Sequence, residues 1–279
     1  MAQVISPSLR DIIDGVLWEE DKQPVGIANV MRMGLGNSDS WSIVNVGVLP
    51  AYRRRGIARK LVEATIQIAV ERGAKRVILD VIDGNDPAYQ LYVSLGFVKF
   101  DYGVEFNYSH LTRPVECPFP AGYTIKPLAR ADWRPSYELA RRITPPDIQR
   151  YLPVEESRYR VGTVERMLAP IFESGIYAKR IGIYAPPGKI VATANYAARM
   201  RPGGINSLSI TLDPAHNVLA PFLIASLLNE IIRIAPKRNI EMRVMSWSAA
   251  VMDAATAAGF EHRMAGNRMG LKLNGPNSV

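Results

Sequence analysis

A single cysteine, Cys117, among 279 residues excludes an internal disulfide and a thiolate metal cluster. Histidine is nearly as scarce. His110, His216 and His262 are scattered without ligand spacing, so no metal site is expected. The first residues lack the basic-then-apolar design of a secretory signal, and the longest apolar run, Val218 to Leu228, falls short of the roughly 20 residues a membrane span requires. A cytoplasmic protein without a membrane partner is the resulting expectation. What the chain does hold is ample core material, with 48% hydrophobic and 22% charged residues. At roughly 100–200 residues per domain, its length suggests two domains.

The charge is distributed unevenly. Residues 1–119 carry 13 Lys and Arg against 14 Asp and Glu, net −1, and residues 120–279 carry 21 against 12, net +9, so the overall +8 belongs to the second half. A boundary falls in 113–122, where Pro114, Pro118 and Pro120 remove backbone donors. The expected division is therefore a domain at 1–112, a linker at 113–122 and a second domain at 123–279. The basic residues of the second half, among them Arg141, Arg142, Arg158, Arg160 and Arg166, are spread rather than clustered. This argues for a solvated surface and against nucleic acid.

Both halves read as α/β units of one order. In the first, Gly15–Glu20 and Val25–Arg32 flank a turn at Asp21–Pro24 as a hairpin, and Trp41–Val48 follows as a strand. Gly56–Arg72 has apolar positions Ile57, Leu61, Ala64, Ile68 and Ala69 at helical spacing. Arg76–Ile82 reads as a buried strand, a short helix starts at Pro87, and Gly96-Phe97 opens a return strand. The second half spends its first 57 residues on a strand at Tyr123–Leu128 and helices at Arg130–Arg142 and Val161–Ser174. It then repeats the pattern: a hairpin around Pro186-Pro187-Gly188, a strand at Ile205–Leu212, a helix at Asn217–Ile234, a strand at Ile240–Trp247, a short helix and Gly259-Phe260. Leu49-Pro50-Ala51 matches Asp213-Pro214-Ala215 at an offset of 164, and Gly96-Phe97 matches Gly259-Phe260 at 163, as a tandem duplication requires.

The chemistry-bearing segment is Val46-Gly47-Val48-Leu49-Pro50-Ala51-Tyr52-Arg53-Arg54-Arg55-Gly56-Ile57-Ala58. A strand runs through proline into arginines and small residues that open an amphipathic helix, so free N–H groups and the positive helix end converge on one spot. Such a spot binds anions, and Gly56 and Ala58 keep side chains out of the way of a pyrophosphate. Asn85-Asp86-Pro87-Ala88-Tyr89-Gln90-Leu91-Tyr92 follows downstream, ending in Gly96-Phe97.

These two motifs, in this order, resemble the GNAT superfamily of acetyl-coenzyme A-dependent N-acetyltransferases, over residues 15 to about 108. The resemblance implies an α+β fold for each half, a mixed and mostly antiparallel sheet flanked by helices. It implies acetyl-coenzyme A as cosubstrate and a small-molecule or peptide amine as acceptor, with direct attack on the thioester. Val46 and Val48 would hold the pantetheine arm and the carbonyl. The amides of Arg53, Arg54, Arg55, Gly56, Ile57 and Ala58 would bind pyrophosphate, Asn85 would meet the pantetheine, and the Tyr92 hydroxyl would act as general acid to the leaving sulfur. A coenzyme A-binding or sensing module without turnover is the alternative. Glu19, Glu20 and Asp80 lie on strands that could face the cleft, and none stands out as the base.

The second copy carries Asn217, Ala220 and Phe222 at the positions of Arg53, Gly56 and Ala58, and Ala255 at that of Tyr92, which predicts a fold retained without the cofactor. The first copy has only 14 residues before Gly15, so it lacks the strand and helices that the resemblance implies as one wall of the acceptor site. The second domain, another subunit such as a homodimer partner, or a start further upstream are the sources left open.

Overall fold

The computed structural model describes residues 13–33, 39–109, 112–113, 116–129, 131–160, 175–200 and 204–273. The chain divides into two compact units. Unit 1 comprises residues 1–101, 146–158 and 266–279, and unit 2 comprises residues 102–145 and 159–265.

Unit 1 begins with β1 (Ile13–Glu20) and β2 (Gln23–Arg32), an antiparallel hairpin. Asp21 and Lys22 turn the chain at φ 51° and 63°, the left-handed pair that a two-residue hairpin turn requires. β2 therefore starts earlier than the sequence suggests. Pro24 is tolerated because the pairing is irregular opposite it, at Trp18/Glu19. Next come β3 (Ser40–Val48), α1 (Ile57–Glu71), β4 (Arg76–Ile82), α2 (Asp86–Ser94) and the start of β5 (Val98–Tyr108). Helix α1 buries Ile57, Leu61, Val62, Thr65 and Ala69, so its core stripe is turned toward Val62 and Thr65 from the expected Ala64 and Ile68. Thr65 is accommodated because its hydroxyl donates to the Val62 carbonyl at 2.8 Å. At the far end of α1, Arg72 reaches the buried Asp14 carboxylate at 2.5 Å and fastens β1 to the helix.

Unit 2 contains β6 (Thr124–Pro127), α3 (Arg134–Ile143), β7 (Ile176–Ala185), β8 (Lys189–Arg199), β9 (Asn206–Leu212), a 3-10 turn at Pro214–Leu219, α5 (Ala220–Ile234), β10 (Ile240–Met245), α6 (Ala249–Ala257) and the first residues of β11 (Glu261–Lys272). A one-turn helix, α4 (Pro146–Gln149), falls in unit 1. Helix α3 starts later than expected because Pro135 occupies its first turn. The helix expected at 161–174 lies outside the described residues. Taken with its 3-10 start, Pro214–Ile234 is long and apolar enough to cross a membrane by length and composition, with 21 residues at mean hydropathy 1.5. Its burial has a simpler cause: Leu223, Ile224, Leu228 and Ile231 are the centre of the unit 2 core.

Strand pairing in the two units follows one plan. In unit 1, β1, β2 and β3 are antiparallel neighbours, β3 and β4 are parallel, and β4 pairs antiparallel with β11. In unit 2, β6 to β9 are antiparallel neighbours, β9 and β10 are parallel, and β10 pairs antiparallel with β5. The strand pairing within each unit is thus mixed and mostly antiparallel, as expected. The compact units do not follow the contiguous division at 113–122. In each unit the last strand paired comes from the other half of the chain: residues 266–272 pair with β4, and residues 103–108 pair with β10. Residues 146–158 likewise belong to unit 1.

Candidate functional site

The site of unit 1 grows from the end of β3. Its parallel pairing with β4 covers only Ser40, Trp41 and Ser42. On its other side the pairing with β2 shifts register, so that Asn45 and Val46 together stand opposite Ala28. Asn45 accommodates this bulge at φ 55°, a conformation asparagine adopts more readily than most residues. The Leu49 amide donates to the Val25 carbonyl at 2.9 Å, which fixes the odd-numbered amides toward β2. Strand periodicity then turns the amides of Val46 and Val48 to the side that β4 has left.

Beyond the strand, Pro50–Tyr52 makes one 3-10 turn, Arg54 is left-handed at φ 64°, and Gly56 is left-handed at φ 79° as the residue before α1. Alternation of this kind points successive N–H groups into one concavity. The helix start has no side-chain cap and no acidic residue in its first turn, so its donors and positive end remain available. A Cβ added at Gly56 would meet nothing within 4 Å, so backbone conformation rather than protein crowding selects glycine here.

The three arginines part ways. Arg53 folds back to donate from Nε to the Val48 carbonyl at 3.1 Å. Arg54 lines the cavity. Arg55 turns elsewhere: it pairs with Glu20 at 3.3 Å, donates to the Ala51 carbonyl at 3.1 Å and lies over the Tyr52 ring.

Opposite stands α2. Asn85 is its N-cap, with Oδ1 accepting from the Ala88 amide at 3.3 Å, and Pro87 sits in the first turn. Gly96 ends the helix at φ 86°, and the Phe97 ring meets Tyr92 edge-on at 5.9 Å. Much of the Asn…Gly-Phe motif is thus the grammar of a short helix. Tyr92 is 6% exposed, and burial raises its phenol above the ordinary value.

A cavity of about 600 Å³ joins these elements. Val46, Val48, Arg53, Arg54, Gly56, Ile57, Ala58, Asn85 and Tyr92 line it, whereas Arg55 does not. Tyr52, Arg59 and Leu91 line it too, and sequence reasoning passed them over. Arg59, three residues past Gly56, faces the cavity side and donates to Ser94 Oγ at 2.5 Å. Its position in the first helical turn was the signal available. The volume lies within the usual range for small-molecule sites.

The family model described as acetyltransferase (GNAT) family matches residues 8–97. Those residues belong to the GNAT family. N-alpha-acetyltransferase RimI of Mycobacterium tuberculosis is 40% identical over 75 residues, which are 27% of this chain and 46% of that protein. Mycothiol acetyltransferase of Corynebacterium aurimucosum is 48% identical over 52 residues, 19% of this chain and 17% of that one. The chain therefore spans less than half the length of these curated relatives. Among solved structures, a tandem GNAT protein from the clavulanic acid biosynthesis pathway covers 93% of this chain and 82% of its own, at 17% identity and TM-score 0.58. A GCN5-related N-acetyltransferase from Sphaerobacter thermophilus covers 95% and 82%, at 16% identity and TM-score 0.66. Both likenesses extend the GNAT fold over nearly the whole chain.

Unit 2 treats the same positions differently. Phe222 packs against Phe119 at 4.8 Å, and Phe119 against Tyr123 at 6.5 Å, so rings fill the space beside the helix start. Tyr123 in turn hydrogen-bonds His216 Nδ1 at 2.9 Å. Ala255 is fully buried and brings no hydroxyl.

Proposed function

We propose that unit 1 is an acetyl-coenzyme A-dependent N-acetyltransferase acting on a small-molecule or peptide amine in the cytoplasm, and that unit 2 keeps the fold without the cosubstrate. The observation that carries this reading is one cavity bordered at once by an uncapped helix start, a strand stretch that β4 leaves unpaired on one side and a buried tyrosine. Acetyl-coenzyme A would supply an activated acetyl thioester. The amides from Arg53 to Ala58, with the Arg54 side chain, present fixed positive charge to its pyrophosphate, and the open side at Gly56 leaves room for it. Val46 and the Val48 amide face the side without a neighbouring strand and are offered to the pantetheine arm and to the thioester oxygen, where a preorganised N–H is most effective as charge develops.

Tyr92 is the acid. Burial keeps its phenol protonated at neutral pH, so a donor faces the sulfur as the C–S bond breaks and the C–N bond forms. A phenol above 10 is a weaker acid than an ordinary thiol near about 8.5, so its contribution is a hydrogen bond that tightens on the departing sulfur. The amine's proton leaves to solvent, the sulfur released from its hydrogen bond to Tyr92 takes a proton from solvent, and the products are the N-acetyl amine and the free thiol of coenzyme A.

Calorimetric titration with acetyl-coenzyme A, followed by a thiol-release assay across a panel of primary amines, tests the reading. Binding with amine-dependent release is the expected result. Binding without release from any amine would favour the sensing module, and absence of binding would remove both.

A further inference from the structure

Direct attack requires the amine to reach the thioester from a side that the cosubstrate does not fill. Helices α1 and α2 pack on the face of the sheet that presents Val77, Leu79 and Val81. The approach left is through the gap between β3 and β4, from the other face.

The register makes that face readable. Ile78, Asp80 and Ile82 alternate with the buried valines and leucine, and their partners on β11 are Gly270, Arg268 and Gly266. The β3–β4 ladder ends at the row of Ser42 and Ile78, and Gly270 stands in the same row. A segment from a distant part of the sequence is seated there. A Cβ on Gly270 would lie 2.4 Å from Cδ1 and 2.6 Å from Cγ of Tyr151, so only glycine admits the ring. Phe100 stacks on Tyr151 at 5.1 Å, Ile148 is buried, and residues 146–158 belong to unit 1.

Two residues further along β4, about 7 Å, Arg268 Nε donates to Asp80 at 3.2 Å, and the next residue on this face is the exposed Ile82. Four residues beyond Tyr151, a distance of at most about 14 Å in extended chain, Glu155 holds its Oε2 out of solvent with no hydrogen-bond partner. Glu155 as a whole is half-buried, and this oxygen retains the capacity to accept from a cation.

We propose, resting on the acetyltransferase reading of unit 1, that Pro146–Arg158 forms the acceptor-side wall of the unit 1 site and that Glu155 receives a positive charge on the acceptor. Tyr151, seated on Gly270, positions this wall. Because the attacking nitrogen must be neutral, the charge that Glu155 meets is a second one. The substrate class is therefore an amine carrying a further cationic group, with a diamine as its simplest member.

The test compares 1,4-diaminobutane with n-butylamine as acceptors for the full chain. The diamine is expected to have the higher kcat/KM, by about tenfold or more, as a charge-assisted hydrogen bond allows. Glu155→Gln should erase that preference by raising the diamine KM, with kcat within about twofold and acetyl-coenzyme A affinity unchanged, and Glu155→Asp should restore part of it. Tyr151→Ala should raise KM for both amines. Equal use of the two amines, or a preference that survives Glu155→Gln, overturns the proposal. Acetyl-coenzyme A binding with neither amine acetylated overturns it while leaving the cosubstrate site standing, whereas failure to bind acetyl-coenzyme A refutes the underlying reading.

Discussion

Replacing Gly56 with alanine separates the backbone contribution of this residue from its place beside the cavity. Gly56 holds φ 79°, and so does Gly73, at φ 77°, just after α1. A Cβ at either position would meet nothing within 4 Å. Alanine therefore incurs the same left-handed strain at both, about 1–2 kcal/mol, and no clash at either. Each variant should melt roughly 2–8 °C lower than the parent chain. Their affinities for acetyl-coenzyme A should nevertheless diverge. Relaxing φ at Gly56 rotates the amides that open α1, and the new methyl projects into the space bordered by Arg54, Ile57 and Ala58. Losing one or two hydrogen bonds to a charged group, at about 1.5–3 kcal/mol each, weakens binding on the order of ten- to a hundredfold or more. At Gly73 the same substitution changes no cavity-lining group. Calorimetric titration of both variants is the assay. Equal dissociation constants would refute the placement of pyrophosphate at this helix start.

Tyr92→Phe should lower kcat by roughly ten- to a hundredfold while acetyl-coenzyme A affinity stays within about twofold, because the ring and its packing on Phe97 remain; unchanged turnover removes the hydroxyl from the mechanism. Since burial raises the Tyr92 pKa, its ionisation should put no falling limb in the kcat–pH profile below about pH 10, and a limb there that vanishes in Tyr92→Phe would contradict this. Asn85→Ala should destabilise unit 1 by about 1 kcal/mol through loss of the α2 cap, with Asn85→Ser largely restoring the melting temperature. In unit 2, burial opposes ionisation of Glu230, but hydrogen bonds from Lys179 and Tyr196 hold its carboxyl below the usual value. Its stabilisation should be present above the ordinary glutamate range and lost as pH falls through the lowered pKa, and acid unfolding of Glu230→Gln should lack that component.

Local grammar made much of the site legible. The strand, the proline turn, the arginines and the amphipathic helix are consecutive in sequence, so the residues expected to bind an anion could be named from their order, and the family resemblance added Tyr92; most of them line one cavity. What sequence could not supply was direction. Arg53, Arg54 and Arg55 are chemically identical, and only the folded loop assigns one to the Val48 carbonyl, one to the cavity and one to Glu20. Non-local pairing was equally hidden. Nothing in residues 98–108 or 261–272 distinguishes a strand that completes its own half from one that completes the other, since both need the same β-rich composition. Gly270 is the clearest trace of such an arrangement, and its meaning depends on Tyr151, 119 positions earlier in the chain.

The proposed loss of the cosubstrate in unit 2 has its plainest support in one turn. Leu49-Pro50-Ala51 in unit 1 corresponds to Asp213-Pro214-Ala215 in unit 2. Asp213 accepts from the Ala215 amide at 3.1 Å, and it brings to the approach of the helix a negative charge that Leu49 does not. Burial works against its ionisation, but that amide bond, Arg142 at 3.1 Å and Lys189 at 3.9 Å hold the carboxyl below the usual range. At neutral pH the residue that opens this turn in unit 2 is thus a carboxylate with two cations of its own, and Phe222 adds a ring at the helix start that follows. The net +9 of residues 120–279 is therefore no guide to where an anionic cosubstrate binds. At a helix start the sign of one side chain within a few ångströms outweighs a surplus spread over the surface, because screening removes distant charges within roughly 10 Å at 0.1 M salt.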